Sequence, residues 1–157
     1  MPPDVKSKVL EPARLTGSSS NTQHWCFILI QDKKNIRRLA EESTTGRWVG
    51  GDDFAIIVMT NPKISGYMID ACRAVQDRQL VAWDLGVGSC IFTGANKEKV
   101  RKDFGIPPEL EPAAFLGFGY PARKITGKEK KNRSPLQEIA LIERYGNRLS
   151  DPSRSLK

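Results

Sequence analysis

The sequence predicts an α/β or α+β protein built in three layers, with helices packed against a central sheet. Short apolar runs, typical of buried strands, alternate along the chain with segments of helical periodicity. The 157 residues, 39% hydrophobic and 27% charged, are enough for one domain with a substantial core. This composition excludes disorder over most of the length.

The first 60 residues contain four predicted elements separated by polar loops. In chain order these are a helix that begins at Pro3, a strand over residues 25–30, a helix over residues 33–42 with Asp32 as its N-cap, and a strand over residues 54–59. A loop rich in hydroxyl groups, residues 15–21, follows the first helix. A glycine-rich loop, residues 44–53, precedes the second strand.

The rest of the chain continues the alternation of helices and strands. The longest helical segment, residues 68–85, is apolar on more than one face, so we expect it in the core or in a subunit interface. It is followed by Gly86 as a helix terminator, a strand over residues 89–92, a helix over residues 97–104 between Asn96 and Gly105, and a strand over residues 113–118. Residues 134–137 then match an N-cap and capping box for a helix through Arg144.

The basic charge of the chain is concentrated in one short segment. The net charge is +7, and residues 121–133 hold six basic side chains against one glutamate, a local charge of +5. The remainder is therefore close to balanced, at +2. A single basic segment suits a small anion such as phosphate as well as it suits DNA, and we expect no nucleic-acid partner.

Cysteine usage and apolar runs indicate a cytoplasmic protein. Cys26, Cys72 and Cys90 are widely spaced among apolar neighbours, so we expect buried thiols in a reducing compartment. The longest uncharged apolar run, residues 25–30, is too short to cross a bilayer. We expect neither a membrane partner nor a secretory leader.

No single residue has the surroundings of a nucleophile, a general base or a metal ligand. His24 is the only histidine, so we expect it to cap or pack, and we expect no metal site. Residues 117–122 match GxGxxA after a strand, but Pro121 opposes the helix that dinucleotide binding requires. The three tryptophans are expected to pack in the core or an interface, with ring stacking as an alternative for Trp48 in its glycine-rich loop.

Three polar features remain, and together they favour a phosphorylated cofactor that carries its own chemistry. They are the hydroxyl and amide loop over residues 18–23, the glycine-rich turn over residues 86–94 and the basic segment. Hydroxyl and amide groups hydrogen-bond to phosphate and to polar ring edges, and basic side chains neutralise phosphate charge.

Six collinear motifs resemble those of the FMN-dependent nitroreductase family. They are residues 13–28 (ARLTGSSSNTQHWCFI), 70–76 (DACRAVQ), 82–90 (AWDLGVGSC), 100–107 (VRKDFGIP), 116–121 (LGFGYP) and 131–136 (KNRSPL). The resemblance extends over about residues 3–148. It implies an α+β fold, specifically a three-layer α-β-α sandwich with a mixed central sheet, in a homodimer with FMN at the interface.

The resemblance also implies a reaction and a set of binding residues. NADH or NADPH would reduce FMN, which would then reduce a nitroaromatic, a quinone or a similar small-molecule acceptor, and no catalytic side chain is required. The cofactor-binding residues would be Ser19, Asn21 and Gln23 for FMN, the backbone of Thr93 and Gly94 beside the isoalloxazine ring, and Lys131 and Arg133 for the phosphate.

The chain departs from the family pattern in two places. The Arg-rich strand that usually precedes the first helix is not in this sequence, and His24 stands where the family has proline. The first departure keeps an alternative open: a truncated, catalytically weak nitroreductase-like dimer that acts as a binding or interaction module.

The family also bears on the end of the chain. Its members are largely extended over the stretch where the capping box predicts a helix, and we follow the family there. We predict one domain over residues 1–148 and an extended or disordered tail over residues 149–157.

Overall fold

The computed structural model describes residues 1–123 and 132–149. The chain divides into two compact units, Met1–Ala122 and Arg123–Lys157. Lys131 lies outside the described residues, and so does the predicted tail apart from Leu149. The single domain over residues 1–148 stays a prediction.

The first unit contains the predicted alternation of helices and strands. Its helices are α1 (Pro3–Leu15), α2 (Lys33–Glu41), α3 (Tyr67–Asp84) and α4 (Lys97–Asp103). Its strands are β1 (Cys26–Ile30), β2 (Phe54–Thr60), β3 (Gly88–Phe92) and β4 (Glu111–Gly119). Two short 3₁₀ turns, Ser19–Asn21 and Arg47–Gly51, lie in the two loops of the first half.

The sequence signals at the helix ends act as predicted. The Asp32 carboxylate accepts hydrogen bonds from the backbone N–H groups of Lys34 and Asn35, at 2.9 and 3.1 Å. Asn96 caps α4 in the same way. Gly86, just after α3, has φ +72°, a left-handed conformation that favours glycine.

The four strands form one sheet in the order β1-β2-β4-β3. Every pairing among the described residues is antiparallel, so the expectation of a mixed sheet is wrong for this part of the chain. Ile30, at the end of β1, pairs with Ala55, near the start of β2. The connection that contains α2 therefore leaves the sheet and returns to it at the same end of the strands. An intervening helix therefore does not impose a parallel crossover.

Helices cover both faces of this sheet, which confirms the three-layer arrangement. Side chains alternate along β2: Phe54, Ile56 and Val58 belong to one buried cluster, with residues of α1 and α3. The intervening residues, Ala55 and Ile57 among them, belong to a second cluster with α2 and α4. All seven residues of β2 are buried, because the strand is covered on both faces.

The predicted burial of the cysteines is wrong. Cys26, Cys72 and Cys90 are all free and exposed. Cys26 and Cys90 lie on β1 and β3, the edge strands, and Cys72 lies on the face of α3 opposite the core. Apolar neighbours in the sequence do not show which face of an element a residue occupies.

Among the described residues of the second unit there is one short helix, α5 (Leu136–Ile139). It begins after Pro135 without a side-chain cap and ends at Ile139, so the helix through Arg144 that the capping box indicates does not form, in line with the choice to follow the family. Both ends of α5 are exposed apolar residues, so no packing stabilises further turns. The chain continues as a turn closed by an antiparallel bridge between Leu141 and Arg148.

None of the helices within residues 1–123 and 132–149 combines the length and apolar character that a membrane span requires.

Candidate functional site

The loop between α1 and β1 is held against α3 at both of its ends. The Thr16 hydroxyl donates to Asp77 Oδ2 at 2.6 Å. The Ser19 backbone N–H donates to Asp70 Oδ2 at 2.9 Å, and His24 Nε2 lies 3.2 Å from the same oxygen. Asp70 and Asp77 lie on one stripe of α3, two turns apart, so the loop runs along the helix.

The middle of this loop has an unusual backbone conformation. Ser20, Asn21 and Gln23 have φ values of 50°, 54° and 47°, a region that non-glycine residues rarely adopt. The Gln23 side-chain amide donates to Asn21 Oδ1 at 3.2 Å, and the Gln23 N–H donates to Ser18 Oγ at 2.9 Å. Such strain persists where surrounding contacts enforce it, and it concentrates at functional sites.

The structure therefore brings three of the predicted cofactor ligands together. Ser19, Asn21 and Gln23 are exposed and follow one another along a single constrained loop. Hydroxyl and amide groups placed in this way can donate and accept hydrogen bonds toward a polar ligand.

Asp70 is the buried residue on which this loop depends, although the sequence alone predicts no role for it. Its side chain is 2% exposed, and that of His24 is 5% exposed. Burial alone would raise the pKa of Asp70, but the Ser19 N–H and the His24 contact outweigh it and hold the pKa below its ordinary value. The carboxylate is thus ionised at neutral pH. No sequence signal pairs Asp70 with a loop about 50 residues earlier.

Thr93 and Gly94 form a separate turn after β3. The Gly94 carbonyl accepts hydrogen bonds from the Ser43 hydroxyl at 2.8 Å and the Thr44 N–H at 2.9 Å. The Gly94 N–H donates to Thr45 Oγ1 at 3.2 Å. A Cβ on Gly94 would lie 2.5 Å from the Thr44 hydroxyl, so close packing accounts for this glycine.

Gly117, the first glycine of the GxGxxA pattern, also has a packing explanation. A Cβ on Gly117 would lie 1.9 Å from Asp52 Oδ2 and 2.7 Å from the Trp48 ring. Burial, and secondarily the charge of Asp53, raise the pKa of Asp52 to about 6. Gly117 therefore allows the 3₁₀ turn Arg47–Gly51 and Asp52 to approach β4 closely. The described residues that follow β4, 120–123, are not helical.

Trp48 packs against a neighbouring aromatic ring at the surface rather than in the core. Its ring lies edge-to-face on Phe92, with centroids 5.5 Å apart, and its Nε1–H donates to the Thr45 carbonyl at 3.1 Å. The indole is still 41% exposed, so one of its faces is open to solvent.

The two predicted phosphate ligands belong to the second unit. Arg133 is exposed, and its Nη1 donates to the backbone carbonyl of Asn132 at 2.8 Å. Lys131 lies outside the described residues. Within the part of the chain that is described, no cluster of three potential metal ligands occurs.

Comparison with known proteins places this fold. The model of the Nitroreductase family matches residues 60–120. An Archaeoglobus fulgidus protein named "Putative NADH dehydrogenase/NAD(P)H nitroreductase" is 30% identical over 123 residues, which cover 73% of this chain and 71% of the relative. A Bacillus subtilis protein named "FMN reductase (NADPH)" is 28% identical over 115 residues, 72% of this chain and 42% of that protein.

A solved structure agrees with these sequence matches. A nitroreductase family protein from Clostridium difficile 630 superposes with a TM-score of 0.78 at 26% identity, over 92% of this chain and 88% of that one. The three-layer fold is therefore that of the nitroreductase family. The chain belongs to the nitroreductase family.

Proposed function

We propose that the chain is an FMN-dependent oxidoreductase that takes hydride from NADH or NADPH and passes electrons to a nitroaromatic, quinone or similar acceptor. Family membership supports the reaction class. The names of two relatives, an NAD(P)H nitroreductase and an NADPH-dependent FMN reductase, support the donor and the cofactor. The observation that carries the proposal is the constrained loop over residues 18–23.

The exposed groups of this loop fit a flavin. The polar edge of an isoalloxazine ring alternates carbonyl oxygens with ring nitrogens, and the ribityl chain carries hydroxyl groups. The Asn21 and Gln23 amides can donate hydrogen bonds to the polar edge of the ring and accept them from the ribityl hydroxyls. The Ser19 hydroxyl can do both. Because Asp70 fixes the loop, these groups need little reorganisation to bind.

The chain's own residues bind and orient the cofactor rather than react. When bound, FMN supplies the hydride and electron transfer. The Gly94 N–H, whose hydrogen bond to Thr45 is long at 3.2 Å, is proposed to turn toward the ring. Lys131 and Arg133 are proposed to hold the phosphate, because charge-assisted hydrogen bonds to phosphate are among the strongest in proteins.

We also propose that the chain works as a homodimer. Ile69, Cys72, Leu80 and Trp83 are exposed and occupy one stripe of α3, a pattern typical of a helix that packs against a partner. An apolar groove of about 590 Å³ between α1 and α3, lined in part by Leu15 and Leu80, continues this stripe. Apolar helix surface of this extent is characteristic of an interface.

A visible absorption spectrum of the full chain tests the proposal. We expect protein dialysed after addition of FMN to retain a flavin spectrum that bleaches when NADH or NADPH is added without oxygen. A protein that retains no flavin would refute the proposal. If that protein were still a dimer in sedimentation, the interaction-module alternative would replace it.

A pair of arginine variants tests the phosphate assignment. Arg133→Ala removes one proposed charge-assisted bond, so we expect the FMN dissociation constant to rise about tenfold or more. Arg144→Ala removes an exposed arginine of the same unit and serves as the matched control. Equal dissociation constants for the two variants would contradict the role of Arg133.

A further inference from the structure

One oxygen of one buried carboxylate holds both ends of the strained segment. Asp70 Oδ2 accepts the Ser19 N–H at 2.9 Å and lies 3.2 Å from His24 Nε2. Ser19 and His24 flank residues 20–23, which contain all three left-handed residues of the loop. Asp70 therefore joins the two ends of the short segment that carries the exposed Asn21 and Gln23 side chains.

The surroundings of His24 define its role in this contact. Its Nδ1 is buried without a hydrogen-bond partner among the described residues. An ionised carboxylate accepts hydrogen bonds and cannot donate them, so His24 Nε2 is the donor in its contact with Asp70 Oδ2. Such a charge-assisted hydrogen bond is stronger than one between neutral groups.

Two other contacts of the loop with α3 involve residues that precede Ser19 and lie outside the segment 20–23. The Arg73 guanidinium lies beside Gly17, where a Cβ would meet it at 2.9 Å. The Asp77 carboxylate accepts from the Thr16 hydroxyl. Both contacts precede Ser19, so they attach the loop to α3 without constraining residues 20–23.

We propose that His24 and Asp70 are positioning residues that set the affinity and the binding geometry of the flavin site by holding residues 20–23 in their left-handed conformation. This inference rests on the proposed function. Proline, which the family pattern has at this position, restricts the backbone but donates no hydrogen bond. In this chain the constraint comes from a side chain that reaches α3, and α3 thereby becomes part of the cofactor site.

The test measures FMN affinity by fluorescence quenching in His24→Leu, His24→Gln and Asp70→Asn. We expect His24→Leu and Asp70→Asn to raise the FMN dissociation constant about tenfold, the effect of losing one charge-assisted bond. The side-chain amide introduced by His24→Gln keeps an N–H donor, so this variant should stay within about threefold of the wild type. The visible circular dichroism of bound flavin should change in His24→Leu and be restored in His24→Gln.

Asp77→Asn is the matched control. It weakens the other anchor of the loop, so we expect a lower melting temperature of the apoprotein but an FMN dissociation constant within about twofold of the wild type. If His24→Leu does not fold, His24→Asn takes its place, because the shorter amide does not reach Asp70 and should give the same loss of affinity.

The outcomes separate this inference from the proposed function. A wild-type chain that does not bind FMN overturns both. A wild type that binds FMN, with His24→Leu and Asp70→Asn binding it equally tightly, overturns the positioning role alone. If His24→Gln loses as much affinity as His24→Leu, the histidine only packs, and the positioning role is again overturned.

Discussion

Replacing the buried Arg78 by methionine should stabilise the protein. Arg78 lies in the centre of the core face of α3 and has no solvent exposure. Its Nε, Nη1 and Nη2 atoms have no hydrogen-bond partner among the described residues. The guanidinium carbon lies 4.1 Å from the centroid of the Phe27 ring, which is its one favourable polar contact within the described chain. A buried charge without a carboxylate is an unfavourable arrangement.

The size of the effect follows from the burial of the charge. Burial lowers the pKa of Arg78 to about 10. Compared with the ordinary pKa of arginine, this lowering corresponds to a penalty of about 3 kcal/mol on the charged form. The cation–π contact returns about 1–2 kcal/mol. Methionine loses that contact and leaves a small void, which costs roughly 0.5–1 kcal/mol in a flexible side chain. We therefore expect Arg78→Met to raise the free energy of unfolding by about 1 kcal/mol.

The assay is urea unfolding of the apoprotein, followed by circular dichroism at one fixed protein concentration. An increase of about 1 kcal/mol corresponds to roughly 2–4 °C in melting temperature for a chain of this size. Arg37→Met, on the exposed side of α2, is the control and should change stability by less than about 0.5 kcal/mol. If Arg78→Met lowers the free energy of unfolding by more than about 1 kcal/mol, the reasoning is refuted, because the guanidinium then has a strong partner in the folded protein.

Three further substitutions follow from single contacts. Burial, and secondarily Asp103, raise the pKa of Glu42 to about 7. The stability that the protonated Glu42 side chain contributes is therefore fully present below pH 4.5 and is lost as the pH rises through 7. Glu42→Gln should therefore raise the free energy of unfolding by about 1–2 kcal/mol at pH 8, after allowance for solvent screening, and change it little at pH 4. Urea titrations of the variant and the wild type at both pH values measure this difference. Gly117→Ala should lower the free energy of unfolding by about 1–3 kcal/mol in the same assay, because the added Cβ would collide with Asp52. Asn96→Ala removes the N-cap of α4 and should lower the free energy of unfolding by about 1 kcal/mol. An unchanged midpoint of urea unfolding would show that water replaces the cap.

Local signals in the sequence predicted the elements of the fold well. Asp32 and Asn96 are identifiable as caps because a cap depends only on the next three residues. Strand pairing does not depend on local signals; the mixed sheet was implied by the family resemblance, whereas the described strands pair antiparallel. The exposure of Cys72 and Cys90 was missed for the same reason, since it depends on which face of α3 and β3 meets the core.

The candidate site was predictable in its composition but not in its support. Ser19, Asn21 and Gln23 stand out because a run of hydroxyl and amide side chains interrupts the apolar pattern. Their backbone conformation depends on Asp70, which is distant in sequence. The motif over residues 70–76 marked this helix as a family feature, yet the contact that explains it appears only in three dimensions.

The three stripes of α3 connect the proposed site with the proposed dimer. One stripe holds Asp70 and Asp77 against the loop, the stripe with Arg78 faces the sheet, and the exposed stripe contains Leu80. A charge on the exposed stripe should therefore prevent association, so we expect Leu80→Glu to raise the dimer dissociation constant at least tenfold in sedimentation, whereas Arg37→Glu should not.

The same variant shows whether the flavin site needs both chains. Leu80 lies on the exposed stripe of α3, whereas Asp70 and Asp77 on another stripe hold the loop, so we expect a change in FMN affinity in Leu80→Glu to act through the loss of the partner. If FMN lies between two chains, as the family resemblance implies, the monomeric variant should bind it at least tenfold more weakly while its apoprotein melting temperature stays close to that of Arg37→Glu. If monomeric Leu80→Glu instead binds FMN as tightly as the wild type, the loop held by Asp70 is sufficient for binding. Residues of one chain then form the site, and the exposed stripe of α3 serves association alone.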